Sequence, residues 1–184
     1  MIAAAPIVVH TTVHTTDLAT TILAGLGVVL ALLSIAWQAW SFKRAGSRVS
    51  VVVRSGLRSP TGAMTVPGAP TDAMLDQLRA QGFREPALAI EVRNAGRGPT
   101  SIVKLDLHFG QGVAWTDQTW DPPLSFRLEG ESEQTWLVSD AQSAMSAARA
   151  SAKTFEGLDG TVRARAWIGG REKPIESKNA TKVL

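Results

Sequence analysis

The side chains of this chain that could do chemistry are few and scattered. His10 and His14 lie four residues apart within a doubled Val-His-Thr-Thr. On a helix that spacing puts both imidazoles on one face, where they could begin a metal site. The β-branched Val and Thr disfavour helix, and no third ligand is near, so the segment reads as a flexible or helix-extending tail. His108 is the remaining histidine and alternates along a strand with Asp106. A base beside Ser or Thr is what nucleophilic catalysis needs, but this histidine falls on the polar face of its strand. No Gly-x-Ser-x-Gly elbow, dinucleotide fingerprint or phosphate loop is present, and Gly110-Gln111-Gly112 is only a turn. Glu129, Glu131 and Glu133 are clustered carboxylates of the kind that bind Ca²⁺. Two of them sit on an expected hairpin turn, with no Asp-rich loop around them. Asp117 and Asp121 flank Trp120 in a similar loop. Both groups read as solvated turns. With no cysteine in the chain, disulfides, zinc–thiolate sites, iron–sulfur clusters and thiol nucleophiles are excluded. The expectation is a protein with no catalytic residue, no metal and no cofactor, and not an enzyme.

Tryptophan is the other conspicuous residue type: there are six, and no tyrosine. Trp136 falls on an expected strand that needs a large apolar anchor. Trp115 and Trp120 lie around a turn, where they either pack into the core or mark a partner site. With Met74 and Leu78 on a short helix, they form the candidate partner-binding set.

The elements that position these residues begin with Thr21–Trp40, 20 residues without a formal charge. A helix of that length spans about 30 Å, the hydrocarbon thickness of a bilayer. Its Leu, Ile and Val side chains each favour insertion by roughly 0.3–0.6 kcal/mol. Gln38 is at its end, and Trp37 and Trp40 fit an interfacial aromatic belt. Residues 1–20 hold no Lys or Arg, whereas Lys43, Arg44, Arg48, Arg54 and Arg58 follow the span without an acid among them. The positive-inside rule therefore predicts a short outer tail over 1–20, a transmembrane helix over 21–40, a basic linker over 41–48 and a cytoplasmic domain over 49–184. Positive charge behind the apolar run, and the bulky Trp-Gln-Ala-Trp at its end, speak against a cleaved signal peptide. Trp37, Trp40, Lys43, Arg44 and Arg48 are the expected membrane-interface residues, the basic ones contacting anionic lipid at about 1 kcal/mol each. The charge asymmetry points to the lipid bilayer rather than to nucleic acid, for which a basic groove with aromatic platforms is expected. Gly27 and Ala31 form a small-xxx-small pair that could bring two helices together in a homo-oligomer.

Beyond residue 48, period-2 alternation dominates. Val49, Val51 and Val53 share one face of a first strand. Leu88, Ile90 and Val92 do so in a second. Val103, Leu105, Leu107 and Phe109 define a third, with Lys104, Asp106 and His108 on its polar face. Leu124, Phe126 and Leu128 mark another, and Val162, Ala164, Ala166 and Ile168 another. Further strands are expected over 113–118, 133–138 and 172–177. Turns fall at Asn94–Pro99, Glu129–Glu131 and Gly169-Gly170. A capping box starting at Ser139, with Gln142 at its third position, predicts a helix whose face carries Ala141, Met145, Ala148 and Ala152. A second helix is expected over 71–81, with Thr71 as cap and Gly82 as stop. It follows a Pro/Gly loop over 56–70, and together they make a loop and helix insertion over 56–86. The fold class expected is mainly β: an N-terminal transmembrane helix and an antiparallel β-sandwich with two short helices.

A strand, the turn Asn94-x-Gly96, a further apolar strand and then Leu128-Glu129-Gly130-Glu131-Ser132 resemble the immunoglobulin-like modules of bacterial surface and envelope proteins, although Leu-Glu-Gly-Glu is one residue shorter than their usual spacing. Anchor, basic collar and single sandwich together resemble small uncharacterised membrane proteins of actinobacteria and their phages. The resemblance covers roughly residues 86–138 and implies binding or assembly rather than catalysis. The function expected is a membrane-anchored module that binds an unknown protein partner or scaffolds an assembly at the cytoplasmic face. The alternatives are a phage-encoded protein of superinfection exclusion and, with the opposite topology, an envelope carbohydrate-binding module.

Overall fold

A computed structural model describes residues 14–117 and 119–182, with the side chains of 14–18 and 42–44 excepted. The chain divides into two units, 1–44 and 45–184. The doubled tetrapeptide's Val9–Val13 lies outside the described residues, as do the side chains of Lys43 and Arg44.

In the first unit, helix α1 runs from His14 to Ala45. It begins seven residues before the expected span and so takes up part of the expected tail. Inside it, Ala19–Ser41 is long and apolar enough to cross a membrane. These 23 residues reach about 34 Å.

The second unit is built from antiparallel strands: β1 (Val49–Ser59), β2 (Gly62–Pro67), β3 (Glu85–Asn94), β4 (Thr100–Gly110), β5 (Val113–Trp115), β6 (Phe126–Leu128), β7 (Ser132–Leu137), β8 (Thr161–Ile168), β9 (Ile175–Glu176) and β10 (Thr181–Lys182). One sheet has the order β2-β1-β3-β7. The other has the order β10-β8-β4-β5, with β6 also on β4 and β9 also on β8. One hydrophobic core joins them. Val51, Val53, Leu88, Ile90 and Val92 of the first sheet meet Ile102, Leu105, Leu107, Val162, Ala164 and Ile168 of the second. Trp136 sits in it, fully buried.

Helix α3 (Ala141–Thr154) packs against β3 of one sheet and β4 and β5 of the other, burying Ala141, Ala144 and Ala148. Its cap is Asp140, whose carboxylate accepts the Ser143 N–H at 2.9 Å. The expected cap, Ser139, instead gives its backbone N–H and hydroxyl to Asp117 Oδ2, both at 2.6 Å. Helix α2 (Asp72–Ala80) follows the expectation, with Thr71 as cap and Gly82 at positive φ just beyond its end. Its Leu75 and Leu78 form a satellite core with Leu57.

Four further expectations are corrected. The loop over 56–70 is ordered: β1 continues to Ser59 and pairs with β2 in a hairpin. Ser, Gly and Pro residues hide this at sequence level, because they form turns when no partner strand is specified. The strands expected over 113–118 and 172–177 shorten to β5 and β9, and Leu124 lies outside β6. In β4 a register shift between Ile102 and Lys104 moves the inward face, so Ile102 is buried and Val103 is exposed. Glu129–Glu131 is not a hairpin turn, since β6 pairs with β4 and β7 pairs with β3, so the turn carries the chain from one sheet to the other. Residues 95–99 do the same between β3 and β4.

These two crossings are tied by Asn94, which is fully buried. Its Oδ1 accepts the N–H of Arg48 at 3.0 Å and of Gly96 at 3.1 Å. Its Nδ2 donates to the carbonyls of Gly98 at 2.8 Å and Glu129 at 3.1 Å. All four hydrogen-bonding positions of the carboxamide are thereby used. Glycine is required around it: a Cβ on Gly96 would come within 2.1 Å of the Gly46 carbonyl, and one on Gly130 within 2.1 Å of the Arg97 carbonyl.

Replacing Asn94 removes these bonds and leaves buried backbone groups unpaired. Asn94→Ala is expected to lower unfolding free energy by about 3 kcal/mol, read by denaturant titration of tryptophan fluorescence; a loss under about 1 kcal/mol would show that the corner does not hold the sheets. The Ser143 hydroxyl and backbone N–H hold the Asp140 carboxyl below its ordinary pKa of 3.8. A depressed native pKa stabilises above the unfolded value, and that contribution fades as pH falls through the native one. The stability deficit of Asp140→Ala at pH 7 should therefore shrink below about pH 4, measured by thermal melts across pH.

Candidate functional site

Two regions hold the residues singled out by the sequence, one in each unit. On α1, every large apolar side chain from Ile22 to Trp40 is exposed, Leu23 by 72% and even Val29 by 53%. A core helix would bury one face. Here the apolar character runs all round, which is the pattern of a segment solvated by lipid. Trp37 and Trp40 lie against each other at its end, ring centroids 5.1 Å apart and planes tilted by 40°, and the Ser41 hydroxyl donates to the Gln38 carbonyl at 2.9 Å. Gly27 and Ala31 lie on the exposed surface with nothing within 4 Å of a Cβ at Gly27.

The basic collar is smaller than its sequence suggests. Arg54 donates to Glu91 at 2.6 Å and to the Thr65 hydroxyl and carbonyl. Arg58 donates to Glu85 at 2.8 Å and to the Ser139 carbonyl. Both belong to the long β1, and their charges are met across the sheet. Of the five collar cations, Arg48 keeps an exposed position with no ion pair among the described residues.

In the domain, the candidate partner set is drawn inward. Trp120 is 8% exposed and lies in the main core; Trp115 is half-buried against it. Leu78 is buried and Met74 half-buried in the satellite core. Trp136 Nε1 donates to the Pro122 carbonyl at 2.8 Å, and its ring meets Phe126 edge-on at 5.5 Å. These four therefore do not form a contiguous exposed surface.

Asp106 departs furthest from the pattern. Alternation assigns it to a solvated face, yet it is 1% exposed. Arg165, opposite it in register, grips both its oxygens, at 2.9 and 3.0 Å. A bidentate guanidinium replaces the water lost on burial. Arg165 also lies over the Trp167 ring at 5.1 Å, and Lys104 over the same ring at 4.7 Å. The alternation of β8 displays Arg163, Arg165 and Trp167, but only the register between β4 and β8 reveals this cluster.

His108 does not meet a carboxylate: its Nδ1 is 3.0 Å from the Val113 carbonyl. Asp117 is buried and accepts the backbone N–H and hydroxyl of both Thr119 and Ser139, so it ties the loop before β6 to the start of α3. Glu129 pairs with Arg127 at 2.8 Å and Glu131 lies 3.9 Å from Arg97. Among the described residues no three His, Asp or Glu side chains gather as metal ligands. No known family matches the chain, and no curated protein does.

The Asp106–Arg165 pair yields a direct test. Removing one partner of a buried ion pair costs about 3–5 kcal/mol, reduced here because Arg165 keeps 20% of its side-chain surface exposed. Asp106→Ala is expected to lose about 2 kcal/mol, and Asp106→Ala with Arg165→Met less than the single change. A double variant weaker than the sum of both singles, by denaturant titration, would show that the pair is not coupled as described.

Proposed function

We propose that this chain is a single-pass membrane protein that holds an immunoglobulin-like β-sandwich at the cytoplasmic face of a cell membrane, where the domain binds a protein partner or scaffolds an assembly. The observation that carries this reading is the exposure of all eleven large apolar side chains between Ile22 and Trp40. Fully burying such a side chain is worth about 1.5–3 kcal/mol, so a helix left in water forgoes tens of kcal/mol that lipid recovers. Orientation rests on Lys43, Arg44 and Arg48 after the span and no Lys or Arg in residues 1–20. The immunoglobulin-like assignment is supported by two antiparallel sheets over one core and by connections that pass between sheets at 95–99 and 129–131. The small membrane proteins of actinobacteria and their phages remain the architecture this build resembles.

The absence of native cysteine makes the test clean. In intact spheroplasts an impermeant maleimide should label Ala5→Cys and spare Thr61→Cys, and detergent should expose both. The reverse pattern overturns the orientation, and recovery of the chain in the soluble fraction after detergent-free lysis overturns the membrane reading. For the partner, amine-reactive crosslinking in whole membranes should give an adduct of fixed mass with the full chain and none with a chain ending at Arg48. No adduct with the full chain would remove the partner-binding reading.

A further inference from the structure

Between α2, α3 and the far end of β1 lies a cavity of about 290 Å³. It opens at the seam between the two hydrophobic cores. Leu57 and Leu75 of the satellite core and Met145 of the main one supply an apolar lining. Four cations stand around it: Arg79, Arg84, Arg149 and Lys182, brought together from α2, the segment before β3, α3 and β10. No acid lines it. Arg79 pairs with Asp76 at 2.8 Å, on its own helix. Arg84, Arg149 and Lys182 have no carboxylate within ion-pair distance among the described residues.

This distribution is not that of the domain as a whole. Residues 72–184 carry 14 basic and 15 acidic side chains; Arg93 and Arg163 of the sheets also stand without an ion pair among the described residues, and Lys182 acts on Asp159, so what marks the cavity is that four cations from four elements line it with no acid among them. Arg84 and Arg149 are exposed at the rim of this apolar cavity, where their N–H donors can meet an anion. Guanidinium binds carboxylate or phosphate through paired N–H donors. The apolar lining requires the same ligand to carry a hydrocarbon body.

We propose that this cavity is a binding site for a small amphiphilic carboxylate, with a short aliphatic body on Leu57, Leu75 and Met145 and its head group held by Arg84 and Arg149. The site does not depend on the membrane reading, since every residue in it belongs to the β domain. Its elements come largely from the 56–86 insertion, to which the expected function assigns no task.

The chain has four methionines, which suits the test. Full-length protein in lipid nanodiscs, labelled with ¹³C at the methionine methyls, is titrated with octanoate. Met145 reports the cavity, and Met64, exposed on β2, is the internal control. The expected result is a saturable shift of Met145 with Met64 unmoved. Its midpoint should rise at least tenfold with octanol in place of octanoate, and at least tenfold with octanoate in the Arg84→Gln, Arg149→Gln variant. Arg93→Gln, an exposed change on β3, should leave it in place. Three results overturn the proposal: Met145 and Met64 shifting together without saturation, octanol matching octanoate, or the double variant matching the native chain while its remaining methyl signals show the fold intact. Acetate giving the same midpoint as octanoate would reduce the site to a simple anion contact and overturn the amphiphile.

Discussion

A two-sheet domain has to pass its chain from one sheet to the other, and each passage brings polar backbone to the border of the core. Here two passages, at 95–99 and 129–131, meet at one corner with the segment that enters β1. A single buried carboxamide, that of Asn94, takes hydrogen bonds from or gives them to all three. An unpaired buried amide or carbonyl costs more than a typical hydrogen bond adds, so the corner is stable only when every bond is made. That explains its small residues. Gly96 and Gly130 leave no room for a Cβ because the neighbouring carbonyls lie where it would stand. The Asn-x-Gly and Leu-Glu-Gly-Glu segments are thus two sides of one junction, 35 residues apart in the chain.

A second carboxamide has a related task further along β1. β2 begins to pair with β1 only at Ser55, and beyond it the Val53 carbonyl accepts the Gly68 N–H at 3.0 Å while the Val53 N–H faces no strand. Asn179 completes this edge, accepting the Val53 N–H at 3.0 Å and donating to its carbonyl at 2.7 Å. A side chain here stands in for a missing stretch of strand and links the last turn of the chain to the first sheet.

Charge is arranged with the same economy. Arg54, Arg58, Arg127 and Arg165 are bound to carboxylates across or within the sheets. The remaining collar charge is that of Lys43, Arg44 and Arg48, and four other cations, Arg79, Arg84, Arg149 and Lys182, line the cavity between the two cores. A membrane contact and an anion site would therefore use different residues, and neither follows from the net charge of +3.

What the sequence determined by itself is what depends on neighbours in the chain. The apolar run of α1 needs no partner to be legible, because twenty successive uncharged residues by themselves make it long and apolar enough to cross a membrane. Thr71 as cap of α2 and the alternation of Leu88, Ile90 and Val92 are equally local. The tertiary structure alone decided the pairings. β2 is a strand because β1 runs past Gly56 to receive it, and Ser139 turns from capping α3 because Asp117 approaches it from 22 residues away. Asp106 is buried because the β4–β8 register sets Arg165 opposite it. Trp120 lies inside because the loop carrying it folds onto the core. In each case the deciding energy is a contact between residues far apart in the chain, and such contacts leave no period in the sequence to read.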